Sequence, residues 1–291
     1  MPDGAGRTWD PKTTFDGTAF YYARYRPRYP AEAFAVLREK FDLTGSSRVL
    51  DLGCGPGSLA LPLASIAGRV YAVDPNGGML AEAQRLAKER GIENIDWFLA
   101  ESRDLPELAK RIGPVDLTVM GRSFHWMDGA RTLRDLYELT APGGGVALLA
   151  DGNVAASRDA PTAPKGGNPP VPEPPAWRRF IVETTRKWLG EERKAGTSGT
   201  YAHPRKHHLE VVADSEFTRA ELVQLKYQRT WNVEQILGYL YSTSSNSIPV
   251  LGENKDAFEA DVRERLLAAE PTGTFTEPVT VQLILAWKRA D

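Results

Sequence analysis

Asp51 stands in the apolar run Val49–Leu52, and glycines follow at alternate positions, Gly53, Gly55 and Gly57, in the stretch VLDLGCGPGSL. Glycines let a backbone turn tightly and come close to a ligand. A carboxylate beside them attracts positive charge and repels a diphosphate. A dinucleotide site asks for G-x-G-x-x-G, with its pyrophosphate on a helix N-terminus. Here the third glycine comes one residue early, and Ser58 stands where that pattern wants Gly or Ala. A ligand with a sulfonium and an ammonium reverses the sign of the problem, so the expected cofactor is S-adenosyl-L-methionine.

Further polar residues stand at intervals behind this loop. Asp74, followed by Pro75 in VYAVDP, is placed to accept both hydroxyls of an adenosine ribose. Glu101 and Ser102 are candidates for the adenine amino group and the edge beside it. Met79 packs either on the sugar or base or in the core. Gly121, Ser123 and Phe124 should border the reacting end of the ligand, and His125, in SFHWMD, stands where a proton acceptor is useful. A hydrogen-bonded histidine beside Trp126 is the alternative for His125.

These residues need a scaffold that brings strand ends together. SRVLDL, RVYAVD, NIDWFLA, PVDLTVM and APGGGVALLA read as strands. Between them SLALPLASIAG, GGMLAEAQRLAKERG and GARTLRDLYELT read as helices, and PAEAFAVLREKFD precedes the first strand as another. Strands alternating with helices predict a parallel sheet covered on both faces, with ligands beyond the carboxyl ends of its strands. The rhythm breaks after Asp151, where a Pro-, Gly- and Ala-rich stretch reads as a mobile loop. Helix PAWRRFIVETTRKWLG, strand ELVQLKYQRTW, helices NVEQILGYLYS and KDAFEADVRERLLAAE, and strand TVQLILAWKR follow.

The pieces VLDLGCGPGSL, VYAVDP, LAESRDLP, VDLTVM with SFHWMD, and APGGGVALL resemble the class I S-adenosylmethionine-dependent methyltransferases, in the family order. YYARYRPRYP is similar to a segment of the branch that includes the trans-aconitate methyltransferases (methyltransferase type 11). The resemblance implies an α/β fold, a Rossmann-like doubly wound seven-stranded sheet whose last strand is antiparallel, with helical cap insertions. It implies that Tyr22 and Arg26 contact the methionine moiety of the cofactor, its carboxylate above all. The expected layout is an N-terminal lid and first helix over 1–46, the cofactor-binding core over 47–151, a cap with the Pro-rich loop over 152–208, and the rest of the core over 209–291 with a second cap insertion at 232–277.

The expected function is methyl transfer to a small-molecule acceptor at oxygen, nitrogen or carbon, a carboxylate or natural-product-like compound among them. The alternative keeps the cofactor but attacks its aminocarboxypropyl carbon, releasing methylthioadenosine. A binding protein that retains the site without turnover is a third reading. In the cap, Trp177, Tyr201, His203, Tyr239 and Tyr241 line an acceptor pocket or form the cap's own core. Arg178, Arg179, Arg186 and Lys187 favour an acidic acceptor if they face inward, but a solvated face is the default reading. His203, His207 and His208 sit in a basic turn without ligand spacing, so no metal is expected.

Bulk properties narrow the setting. Net charge is −2 over 291 residues, which supplies no global basic field for nucleic acid or anionic lipid. The single cysteine, Cys54, allows no intrachain disulfide. The start MPDGAGRTWD lacks the apolar core of a secretory signal, and no stretch approaches the roughly 20 apolar residues of a membrane span. These features predict a cytoplasmic protein without a membrane or nucleic-acid partner; oligomeric state stays open.

Overall fold

A computed structural model describes residues 9–151, 175–201 and 206–290. Seven strands form its main sheet: β1 (Arg48–Leu52), β2 (Arg69–Asp74), β3 (Ile95–Leu99), β4 (Val115–Gly121), β5 (Thr140–Asp151), β6 (Thr218–Asn232) and β7 (Thr274–Trp287). Their order is β3-β2-β1-β4-β5-β7-β6, and the last strand is antiparallel. β1 to β5 pair in parallel, with Asp51 opposite Ala72 on one side and Val119 on the other. The chain order reverses between β1 and β4, and such a switch point opens a crevice beyond the strand ends.

Helices at the expected intervals cover the sheet. α1 is Ala19–Tyr25, α2 Ala31–Lys40, α3 Ala60–Leu63, α4 Gly77–Glu89, α5 Leu105–Ile112, α6 Gly129–Leu139, α7 Ala176–Leu189, α8 His208–Ala213, α9 Val233–Tyr241, α10 Ile248–Leu251 and α11 Lys255–Ala269. SLALPLASIAG is shorter than expected, since only Ala60–Leu63 is helical. Pro62 lies in this single turn, and its ring cannot donate to a continuing ladder. α5, α8 and α1 were not anticipated. α5 begins on Leu105 with Pro106 in its first turn, where a missing N–H is harmless.

The chain divides into two compact units. One comprises Pro27–Ala150, His203–Leu225 and Val281–Asp291; it contains the glycine loop. Its core packs Leu50, Leu52 and Val73 of the sheet with Leu105, Leu108 and Ile112 of α5 and Leu133, Leu136 and Leu139 of α6. The other comprises Met1–Arg26, Asp151–Ala202 and Lys226–Thr280. Its core gathers Trp177, Trp231, Tyr239, Leu240, Phe258, Val262 and Phe275. The Pro-rich stretch after Asp151 and His203 lie outside the described residues.

A charged cluster is buried in this second unit. Arg178 donates to both oxygens of Glu277, at 2.5 and 2.8 Å. Trp231 Nε1 donates to Glu277 Oε1 at 2.7 Å, and Arg229 stands 3.6 Å from the same oxygen and 3.2 Å from Asp151 Oδ2. Two guanidinium groups are thus set against two carboxylates. A solvated face is the default reading of the four cations of α7, with an inward face the alternative. Arg178 alone of the four is buried, and Glu277 neutralises it; Arg179 is exposed, Arg186 pairs with Glu191 and Lys187 with Asp261.

Candidate functional site

β1 carries Asp51 to the switch point, buried at 1% exposure. Its Oδ2 accepts the Ala60 amide at 2.8 Å, at the start of α3. Its Oδ1 is buried with no hydrogen-bond partner. Burial pushes the Asp51 carboxyl up to about 8; the Ala60 amide opposes this and the Asp74 charge adds to it. A buried carboxylate with half its acceptor capacity unused is costly, and a cation that supplies the missing donors relieves that cost.

The glycine loop is built to bring this acid close to a ligand. Gly53, Gly55 and Gly57 all have positive φ, at +75°, +53° and +86°. A Cβ on Gly53 would lie 2.4 Å from the Ser123 Cβ, so the loop can fold against β4 only with glycine there. The loop's amides are already spent. Gly53 N and Cys54 N donate to Val73 O at 2.8 and 3.0 Å, Gly55 N to Asp74 Oδ2 at 2.8 Å, and Gly57 N to Cys54 O at 3.0 Å. A phosphate cradle presents free amides; this loop presents a carboxylate instead.

Asp74 ends β2 and is also buried. Its Oδ1 accepts Asn76 N at 2.9 Å while its Oδ2 accepts Gly55 N. Burial pushes it up to about 6, and these two amides pull it back. Each oxygen keeps further acceptor capacity for a ribose hydroxyl. Asn76, missed in the sequence, fixes this corner: its side chain accepts Met79 N at 3.0 Å and caps α4. Pro75 between them is half-buried.

Glu101 follows β3 with its carboxylate buried, accepting Arg103 Nη2 at 2.6 Å, while its own amide donates to Asp104 Oδ2 at 2.9 Å. Ser102, half-buried, opens the single 3-10 turn that follows.

Three expected contacts serve packing through their side chains. Ser123 donates its hydroxyl to Leu52 O at 2.7 Å and so ties the end of β4 to β1. Phe124 is a core residue, its ring edge-on to His208 at 5.1 Å. Met79 is buried at 2% exposure. Gly121 is needed for space, since a Cβ there would meet Leu59 Cδ1 at 2.7 Å and the Tyr29 hydroxyl at 2.8 Å.

Arg122, also missed, takes φ +55°, strained for a residue other than glycine. It is held by a bond from Nη2 to Pro27 O at 2.8 Å and by the Tyr29 ring, 4.5 Å away. No local pattern signals that conformation, because it is imposed by contacts nearly a hundred residues away.

His125 is half-buried, 5.0 Å from the Trp126 ring and parallel to His208 at 6.4 Å, centroid to centroid. Burial, with the charge of His207 adding, pushes His208 down to about 4, so His208 is neutral at pH 7. Among the described residues no group of three or more His, Cys, Asp or Glu side chains could hold a metal.

Tyr22 and Arg26 belong to the other unit. There the Arg26 guanidinium lies 4.8 Å from the Tyr22 ring and 5.1 Å from the Tyr239 ring. Trp177, Tyr239 and Tyr241 are core residues of that unit, and half-buried Tyr201 carries the Arg193 guanidinium 4.2 Å above its ring.

Comparison with known proteins gives a consistent family. The family model described as a methyltransferase domain matches residues 49–144. An uncharacterized methyltransferase of Mycobacterium tuberculosis is 31% identical over 140 residues, 48% of this chain and 53% of the relative. One from Schizosaccharomyces pombe is 28% identical over 137 residues, 47% of this chain and 51% of the relative. The chain thus spans about half the length of the curated relatives it matches. The solved structure of a protein assigned as a type II methyltransferase from Anaeromyxobacter dehalogenans has the same fold. It aligns with TM-score 0.56 at 22% identity, covering 91% of this chain and 98% of its own.

Proposed function

We propose that this chain is a class I S-adenosylmethionine-dependent methyltransferase, as its match to a methyltransferase-domain model and its methyltransferase relatives support, and that it transfers a methyl group to a small-molecule acceptor. The observation that carries the proposal is the buried Asp51 Oδ1 with no partner, beside a loop whose amides are already bonded. This site fits the ammonium of the cofactor's amino-acid tail and does not fit a diphosphate. Asp51 and the close approach at Gly53, Gly55 and Gly57 would hold that tail; Asp74 and Pro75 would hold the ribose, and Glu101 and Ser102 the adenine. When bound, the cofactor supplies an electrophilic methyl on sulfur.

The protein's contribution is to hold the acceptor atom in line and dry. Gly121, Ser123 and Phe124 would shape the wall at that end, the serine and phenylalanine by fixing the backbone. His125 would take a proton from an acceptor that arrives protonated, such as a phenol or an amine. His125→Ala is then expected to lower turnover by about 100-fold or more while leaving affinity for S-adenosylhomocysteine within twofold. Steady-state kinetics beside calorimetry check this; unchanged turnover removes His125 from the chemistry.

Several features support a small acceptor. The charge balance gives no field for a polyanion. No helix among the described residues is long and apolar enough to cross a membrane. The direct test is incubation with methyl-labelled S-adenosylmethionine and a panel of phenols, amines and carboxylic acids, followed by mass spectrometry. S-adenosylhomocysteine with a labelled acceptor is the expected outcome. Methylthioadenosine as the product would instead mark attack on the aminocarboxypropyl chain.

A further inference from the structure

Among the described residues, Asp42, Arg122 and Arg219 take positive φ without being glycine. Asp42 directly follows the C-cap of α2, a position where a left-handed residue often ends a helix. Arg219 lies in β6. Arg122 alone of the three stands between residues of the candidate site, Gly121 and Ser123, directly after β4. Left-handed backbone crowds the Cβ of any L-residue, so an arginine there has to be held in place.

The contacts that hold it all come from the unit that carries the glycine loop. Arg122 N donates to Leu149 O of β5 at 2.9 Å, Nη2 donates to Pro27 O at 2.8 Å, and the guanidinium lies 4.5 Å from the Tyr29 ring centroid. Tyr29 is itself buried, and its hydroxyl occupies the space left by Gly121, where a Cβ would stand 2.8 Å from it. The side chain of Arg122 therefore clamps its own strained backbone. The consequence falls on the next residue. Ser123 leaves the turn with its hydroxyl on Leu52 O at 2.7 Å and its Cβ only 2.4 Å from where a Cβ on Gly53 would lie. An ordinary negative φ at Arg122 would swing Ser123 away from both, and the first glycine of the cofactor loop would lose the surface it rests on.

We propose that Arg122 is a positioning residue of the cofactor site: its side chain holds the left-handed turn that seats Ser123 against the glycine loop. This rests on the methyltransferase reading and adds to it a residue that acts through Ser123 and Gly53. The role belongs to the backbone, so it has a signature that a ligand contact lacks. Glycine adopts the turn unaided and should replace the arginine; alanine lacks both the clamp and the freedom, and should not. Where only a fraction of the free protein holds the competent turn, apparent affinity falls by that fraction.

The experiment is calorimetric titration of the full chain with S-adenosylhomocysteine, in wild type, Arg122→Gly and Arg122→Ala, each held well below its own Tm so that only folded protein is titrated. The expected result is an affinity within threefold of wild type for Arg122→Gly and a loss of about tenfold for Arg122→Ala. If Arg122→Ala gives no cooperative melting, Arg122→Ser takes its place in the same comparison. Equal losses in the glycine and alanine proteins overturn the proposal, because the guanidinium itself would then be what the ligand needs. An alanine protein within threefold of wild type overturns it too, as does a larger loss in the glycine protein than in the alanine one. These outcomes leave the methyltransferase reading standing. Wild-type protein that fails to bind S-adenosylhomocysteine at all overturns that reading, and this inference with it.

Discussion

Asp51→Asn is expected to weaken binding of S-adenosylhomocysteine by at least ~30-fold with the fold intact. The substitution preserves shape, and the amide oxygen of asparagine still accepts the Ala60 N–H that Asp51 Oδ2 accepts now. It removes the charge that an ammonium would neutralise. Truncating one partner of a buried, hydrogen-bonded charge pair costs about 2–5 kcal/mol, and each 1.4 kcal/mol is about tenfold in affinity. Calorimetry on a variant whose circular dichroism matches wild type checks the loss. An affinity within threefold of wild type would mean that the tail docks elsewhere.

The second large effect concerns stability. Glu277→Ala should destabilise the protein by about 3–5 kcal/mol, because it strands the buried Arg178 guanidinium. Glu277 is fully buried and takes three of the cluster's bonds, two from Arg178 and one from Trp231. In a protein of this size that corresponds to a fall in Tm of roughly 5–15 °C. Replacing the pair together, as Arg178→Met with Glu277→Leu, should recover much of the loss, since an apolar pair of similar volume avoids the desolvation cost. A Tm for Glu277→Ala within a degree of wild type would show that solvent reaches the cluster.

The sheet and the cofactor loop were legible because their signals are local. An apolar run ending in a carboxylate and glycines has few other uses, and β1, β2 and β4 are largely buried runs bounded by turns. α5 went unread because Pro106, the second residue of LPELAKRI, looks like a loop, although proline is at home in a first turn. The over-long helix after Ser58 was read from composition without charging Pro62 for its missing donor.

Side-chain roles were less legible than backbone. Ser123, Phe124 and Met79 stand where ligand contacts are expected, and their side chains are buried, Ser123 bonded to β1 and Phe124 packed in the core. Whether a side chain at such a position points to ligand or core depends on partners such as Leu52 and His208, which are far away in sequence. The cap was hardest. Arg178 and Glu277 are 99 residues apart, so nothing nearby shows that the arginine has a counter-ion. A solvated face is the default for four cations on one helix, and Arg178, which turns inward, does so onto a carboxylate that its own neighbourhood in the sequence does not show.

The account depends on a protonated buried acid giving way to a cationic ligand. Asp51 in the free protein sits near 8, so it holds a proton at pH 7. A cation bound against it favours the ionised form, so binding should expel that proton, and affinity should rise with pH between about 6 and 8. The decisive measurement is calorimetric titration of wild-type protein with S-adenosylhomocysteine at pH 7, in two buffers of different ionisation enthalpy. The prediction is saturable binding with net release of protons, and no heat from a nicotinamide dinucleotide. Binding without proton release, or preference for the dinucleotide, would contradict it.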